Sequence, residues 1–229
     1  MDVTAGPLTR TEASDAVEHL GWRYLLGTLT TTVGVDSLDQ AVRITAAAVA
    51  ACGQDADAHL LPLPRPDRVE LTLQTASVAQ VTRRDVDLAH AITDAIRAIG
   101  LQTASSLPPR PAQALEIAID ALDIPAIRPF WRAVLAYTDE PGHDGPTDPL
   151  VDPLRQGPAI WFQQMDRSRP QRNRIHLDIT VPHDEADHRL AAARAAGGTL
   201  VSDTAARAYW VLADPEGNEA CITTWQDRD

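Results

Sequence analysis

His176 and Glu219 are the side chains whose type and setting first suggest chemistry, because each falls in a stretch that reads as β-strand. The run Arg174-Ile-His-Leu-Asp-Ile-Thr-Val181 alternates strictly, which puts Ile175, Leu177, Ile179 and Val181 on one face and His176, Asp178 and Thr180 on the other. Glu219 opens a second strand, behind a turn in which Pro215, Gly217 and Asn218 supply fixed or positive φ values. An imidazole and a carboxylate on neighbouring strands suit proton transfer near neutral pH or ligation of a divalent ion. His176 is therefore the candidate ligand or general base, with Glu219 as ligand or proton acceptor. Asp178 and Asp120, on the same polar faces, are candidates to orient the imidazole.

Composition narrows the partner class. A formal charge of −12 on 229 residues, with no cluster of cations, excludes nucleic acid as an expected partner and favours a small molecule. All 20 basic residues are arginine, so no Schiff-base lysine chemistry is open to this chain. Cys52 and Cys221 lie far apart without C-x-x-C spacing, and read as two buried thiols. No segment approaches the ~18 apolar residues of a membrane span and the first residues carry no targeting pattern, so a cytoplasmic protein is expected.

The elements that must position these groups fall into two parts. Thr9 with Glu12, Ser37 with Gln40 and Thr82 with Asp85 have capping-box spacing, which predicts helices near 9–20, 37–52 and 82–99. Strand-like runs lie between them, Tyr24 to Val35 and Val69-Glu-Leu-Thr-Leu-Gln-Thr75. The Pro- and Ser-rich stretch 101–112 reads as a stiff extended linker, dividing a domain at 5–100 from one at 113–227. After it the pattern repeats as two βαβββ units, with Thr138 to Gln156 a long loop bearing short strands, either a lid or a degenerate sheet edge. The whole is an α+β chain.

The first part resembles the pterin-4a-carbinolamine dehydratases. Ala56-Asp-Ala-His59, the strand 69–75, the helix opened by Thr82 and Asp85, and Trp22 carry the resemblance. It implies an antiparallel sheet with helices on one face, commonly assembled as a homodimer or higher homo-oligomer. The family's His-His-Pro motif and third histidine fall here on Ala58, His59, Leu60 and Glu70. Losing two imidazoles removes most of the capacity to both give and take protons. His59 and Glu70 are left either as an acid/base pair or as solvated polar residues on a scaffold.

The second part is similar to the glyoxalase/bleomycin-resistance, or vicinal oxygen chelate, superfamily. The residues that carry this are Phe130-Trp-Arg-Ala-Val-Leu135, Ile160-Trp-Phe-Gln-Gln164, Asn173-Arg-Ile-His-Leu-Asp178 and Asp214-Pro-Glu-Gly-Asn-Glu219. The resemblance implies paired βαβββ halves forming a cupped sheet, whose metal-using members chelate one divalent ion from four strands. Carried over, the ligands are Glu116, His176 and Glu219, while the fourth position falls on Ala159, which cannot ligate. Gln163 is placed to hydrogen-bond substrate, and Trp161, Trp210 and Phe162 to stack on it. Two functions follow as expectations: a lyase or isomerase acting in the cup, or a metal-free protein that sequesters a drug or metabolite. Residual carbinolamine dehydration is a third.

Overall fold

The computed structural model describes residues 6–108, 110–168 and 175–227, and the chain divides into two compact units, Met1–Ala114 and Leu115–Asp229. Among the described residues no helix is long and apolar enough to cross a membrane.

In the first unit the chain runs α1 (Arg10–Val17), β1 (Arg23–Leu25), β2 (Thr28–Gly34), α2 (Leu38–Cys52), α3 (Ala56–His59), β3 (Leu60–Pro64), β4 (Arg68–Leu73), α4 (Arg83–Ala98) and β5 (Thr103–Ala104), followed by the hairpin β6 (Ser106–Leu107) and β7 (Arg110–Pro111). The sheet is antiparallel in the order β1-β2-β4-β3. Pairing of Leu29 with Leu73, Thr31 with Leu71 and Val33 with Val69 puts these six buried side chains on the helix-covered face. Ala41, Ile44 and Ala48 of α2 and Val86, Ala89, Ile92 and Ile96 of α4 complete that core. Trp22 is fully buried, and its indole N–H donates to Thr93 Oγ1 at 2.9 Å. The reciprocal capping boxes form at Thr9/Glu12 and Thr82/Asp85. At Ser37 the hydroxyl accepts from Gln40 N, but the Gln40 side chain accepts from Asp36 N instead.

The stretch read as a linker departs from expectation. Thr103 and Ala104 pair with Val33 and Thr32, extending the edge of β2 beyond β1. Gly21 makes the approach possible: with φ +83° and no side chain it admits the Thr103 carbonyl, which a Cβ would meet at 2.4 Å. Thr103 Oγ1 then donates to Leu20 O at 2.6 Å. A strand of two residues beside a proline-rich run leaves no periodicity to read.

The second unit holds two copies of one pattern. The first is β8 (Glu116–Ala121), α5 (Ile124–Leu135), β9 (Thr138–Asp139), β10 (Leu150–Val151) and β11 (Ala159–Gln164). The second is β12 (Leu177–Thr180), α6 (Ala186–Ala195), β13 (Thr199–Ser202), β14 (Tyr209–Ala213) and β15 (Glu219–Thr223). Each forms a four-stranded sheet, β8-β11-β10-β9 and β12-β15-β14-β13, in which the first and last strands are parallel neighbours. Phe130, Ile160 and Phe162 from the first copy pack in one cluster with Leu212 and Ile222 from the second. Gly198 lets Phe130 lie against the backbone, since a Cβ there would fall 2.4 Å from the ring.

The segment 138–156 is tied down as the edge of the first sheet. Arg128, only 7% exposed, reaches from α5 to donate to Asp139 Oδ1 at 2.6 Å and to the Asp148 carbonyl at 2.8 Å. Asp152 accepts from the backbone N–H of Leu154, Gln156 and Gly157, closing the turn before β11. Glu140, half-buried here, has its carboxyl pushed above the usual range by burial, with the charges of Glu116 and Asp148 adding to the effect and His143 opposing it.

Two outcomes follow from this anchoring. Arg128→Ala takes the buried guanidinium from Asp139, leaving it only the exposed Arg132, and removes the donor to the Asp148 and Pro149 carbonyls, so a loss of about 3 kcal/mol is expected in a denaturant titration; a loss within error would mean the segment is not held through Arg128. A raised folded-state pKa makes the ionised Glu140 unfavourable, a penalty absent below the ordinary carboxylate range, growing as pH rises from there to the folded value and constant above it. Glu140→Gln should therefore raise the melting temperature at pH 7 more than at about pH 4, as read by paired thermal melts.

Candidate functional site

In the second unit, strand pairing sets polar faces side by side within each of the two sheets. Register sets Glu116, Ala118 and Asp120 of β8 beside Ala159, Trp161 and Gln163 of β11, and Asp178 and Thr180 of β12 beside Cys221 and Thr223 of β15. A cavity of about 330 Å³ opens where β8, the approach to β12 and the start of β15 come together. Its polar lining is Asp120, His176, Asn218 and Glu219; Ile117, Ile119, Trp131 and Leu177 contribute apolar surface. Asp120, His176 and Glu219, three of the expected site residues, thus share one concavity.

His176 stands just ahead of β12 and is directed by two neighbours on its own face. Its Nδ1 lies 3.0 Å from Asp178 Oδ1 and 3.7 Å from Cys221 Sγ. The sequence reads Cys221 as a buried thiol. It is buried, at 6% exposure, but its sulfur reaches the imidazole. Alternation from Glu219 places Cys221 on the same strand face, and that signal was available in the sequence. What the sequence lacked was the register of β12 against β15, which sets Cys221 directly opposite Asp178.

Glu219 owes its position to the turn before it. Asp214, 3% exposed, accepts from Trp131 Nε1 at 2.9 Å, from the backbone N–H of Glu216 and Asn218 at 2.9 Å each, and from Asn218 Nδ2 at 2.8 Å. Glu216 reaches in turn to the first copy, accepting from Leu122 N and Asp123 N. The turn therefore locks the start of β15 to the end of β8 and to α5.

Other expected participants stand elsewhere. Glu116 is exposed and outside the cavity lining, near enough to Glu140 to raise its pKa. The four-strand chelate that the fold implies therefore does not fit: Glu116 does not reach the cavity, and Ala159 offers no ligand atom. Gln163 is exposed, with its amide donating to Gln164 O at 3.3 Å. Trp161 shares its face but does not line the cavity. Phe162, one residue on, points the opposite way into the core at 7% exposure; Trp210, partly buried, packs against the same core and lies outside the cavity lining. The tryptophan at the cavity is Trp131 of α5, whose indole nitrogen is held by Asp214.

In the first unit the expected His59 and Glu70 pair does not form. His59 is nearly buried, and its Nδ1 lies 2.8 Å from Asp85 Oδ1, the fully buried N3 residue of α4. Asp85 Oδ2 accepts from Thr75 Oγ1, Thr82 Oγ1 and Thr82 N. Glu70 lies on the opposite, open side of β4 and pairs with Arg65 at 3.1 Å. Strand alternation separates the two, because the buried positions flanking Glu70 are Val69 and Leu71.

Comparison with known proteins agrees with this division. Residues 6–95 match the family model of pterin 4 alpha carbinolamine dehydratase, and residues 116–223 that of a glyoxalase-like domain. A transcriptional coactivator/pterin dehydratase from Brucella melitensis is 25% identical, covering 39% of this chain and 98% of its own, with a TM-score of 0.35. A glyoxalase/bleomycin resistance protein/dioxygenase family enzyme from Burkholderia phytofirmans PsJN is 22% identical, covering 48% of this chain and 95% of its own, with a TM-score of 0.39. A mutant of the fosfomycin resistance protein FosX from Listeria monocytogenes, complexed with Mn(II) and 1S,2S-dihydroxypropylphosphonic acid, is 12% identical over 47% of this chain and 86% of its own, with a TM-score of 0.37. No curated protein matches. Over residues 6–95 the chain is thus similar to the pterin 4 alpha carbinolamine dehydratases, and over residues 116–223 to glyoxalase-like domains.

Proposed function

We propose that the glyoxalase-like unit is a small-molecule enzyme of the lyase or isomerase type, working in the cavity beside β8 and β15. The observation that carries this reading is the gathering of His176, Asp120 and Glu219 around one concavity with an apolar lining. Such a site offers a small guest apolar surface together with few, directed polar groups. With Nδ1 of His176 turned toward Asp178 and Cys221, Nε2 is the nitrogen left to exchange a proton with substrate. Glu219, held by the Asp214 turn, is the second proton acceptor, and Asn218 and Asp120 supply hydrogen bonds that orient the guest.

In the first unit we infer a scaffold or accessory role. The one imidazole kept from the family motif is tied to Asp85, and Glu70 is committed to Arg65 on the other side of the strand.

The cavity reading is tested with a panel of compounds bearing adjacent oxygens, such as hydroxy ketones, hemithioacetals and epoxides, with turnover followed by NMR. Wild type should convert at least one, and His176→Ala and Glu219→Gln should each lower kcat/KM by about 10²–10⁴-fold. Saturable binding with no conversion of any compound would replace the enzyme with a sequestering protein. For the first unit, a coupled assay of quinonoid dihydropterin should give no rate above the uncatalysed background. A rate that disappears in His59→Ala would overturn the scaffold assignment.

A further inference from the structure

We propose that His176, Asp178 and Cys221 form a three-ligand site for one thiophilic divalent ion of the zinc class, built within the second βαβββ copy. One ligand atom from each of the three lies within 4.8 Å of the others. This deepens the reading of the cavity as a reaction centre and rests on it for what the ion does, whereas ion binding stands on the ligand geometry by itself.

The strands fix this convergence. Asp178 and Cys221 are direct partners across the parallel pair β12 and β15, so their side chains rise from the same face side by side. His176 precedes Asp178 by two residues and projects from that face as well. Tetrahedral zinc with bonds of about 2.1 Å to nitrogen and 2.3 Å to sulfur separates the two ligand atoms by roughly 3.6 Å. The sulfur lies 3.7 Å from Nδ1. The Asp178 oxygen, at 3.0 Å, is in direct hydrogen-bond contact with the same nitrogen and has to turn by a few tenths of an ångström to make way for an ion.

Chemistry narrows the ion. A thiolate, a carboxylate and a neutral imidazole bring two negative charges to a dication, and the thiolate favours zinc or cobalt over manganese or magnesium. The same three residues could instead suggest a Cys-His-Asp nucleophilic relay. A relay needs the thiol at one ring nitrogen and the carboxylate at the other. Here both neighbours meet Nδ1, which is convergence on a point. Three protein ligands also leave a position open, as catalytic zinc requires. His176 and Asp178 are more than half exposed, so an ion has a route in, while Cys221 is shielded from oxidants in solution.

The experiment is a cobalt(II) titration of the full chain after chelator treatment and removal of the chelator under anaerobic conditions. One equivalent should bind with a thiolate-to-cobalt charge-transfer band in the near ultraviolet and the intense visible bands of a tetrahedral ion, and zinc should displace it. Cys221→Ser should abolish the charge-transfer band, and His176→Ala should weaken binding by more than about tenfold. Glu116→Gln should leave stoichiometry and spectrum unchanged. Failure to bind cobalt, binding without the charge-transfer band in wild type, or loss of the ion in Glu116→Gln would each overturn the proposal. The wild-type spectrum reports the thiolate directly and decides the matter even where a variant fails to fold. The titration needs no substrate, so a retained cobalt spectrum with no turnover would count against the enzyme reading and leave the ion site standing.

Discussion

The buried carboxylate of Asp214 is the contact on which the glyoxalase-like unit most depends. It accepts four hydrogen bonds, from an indole, two backbone amides and a side-chain amide. A charge at 3% exposure is tolerable only when its acceptor sites are filled in this way. The result is mechanical. The turn 214–218 is fixed to α5 through Trp131, and Glu216 fixes it to the backbone after β8. Glu219 enters the cavity directly behind this clamp, and Cys221 follows two residues later on a strand whose start cannot drift.

Asp85 solves a similar problem in the dehydratase-like unit with the opposite functional consequence. Fully buried at N3 of α4, it fills its two oxygens from His59, Thr75 and Thr82. The contacts make the helix start, the loop after β4 and the end of α3 a single polar knot inside an apolar core. An imidazole so engaged contributes to cohesion, and the other motif positions, Ala58, Leu60 and Glu70, cannot restore the lost proton transfers. The unit's stability rests on the sheet, the helices and this knot, none of which needs a histidine at Ala58 or Glu70.

Much of the architecture could be read from local rules. Strict alternation in 177–180 and 69–73, and the capping spacings at Thr9 and Thr82, reported strand faces and helix starts that recur in the structure, although Ile175, expected on the apolar face, stands 79% exposed ahead of the strand and Arg174 lies outside the described residues. These are effects between near neighbours, so one sequence contains them. The failures share a different character. Nothing local shows that Asp178 faces Cys221, that Gly21 admits the Thr103 carbonyl, or that His59 meets Asp85. Each depends on the register or docking of segments 26 to 82 residues apart, which packing decides. Phe162 is a different error: it neighbours Trp161, and alternation alone forbids both from facing the same cavity.

The two copies of the βαβββ pattern do not share the site equally. The first contributes apolar wall and Asp120, while its Glu116 stands outside the cavity lining and its Ala159 offers nothing to an ion. The second gathers an imidazole, a carboxylate and a thiol onto one face of two paired strands. A chelate spread over both copies needs their packing to be correct within a few tenths of an ångström, because metal–ligand bonds tolerate little more. Ligands drawn from adjacent strands of one sheet receive that accuracy from backbone hydrogen bonds. Concentrating the donors in one copy frees the other to vary its wall and its 138–156 edge, and so the shape offered to a guest, without disturbing the polar centre.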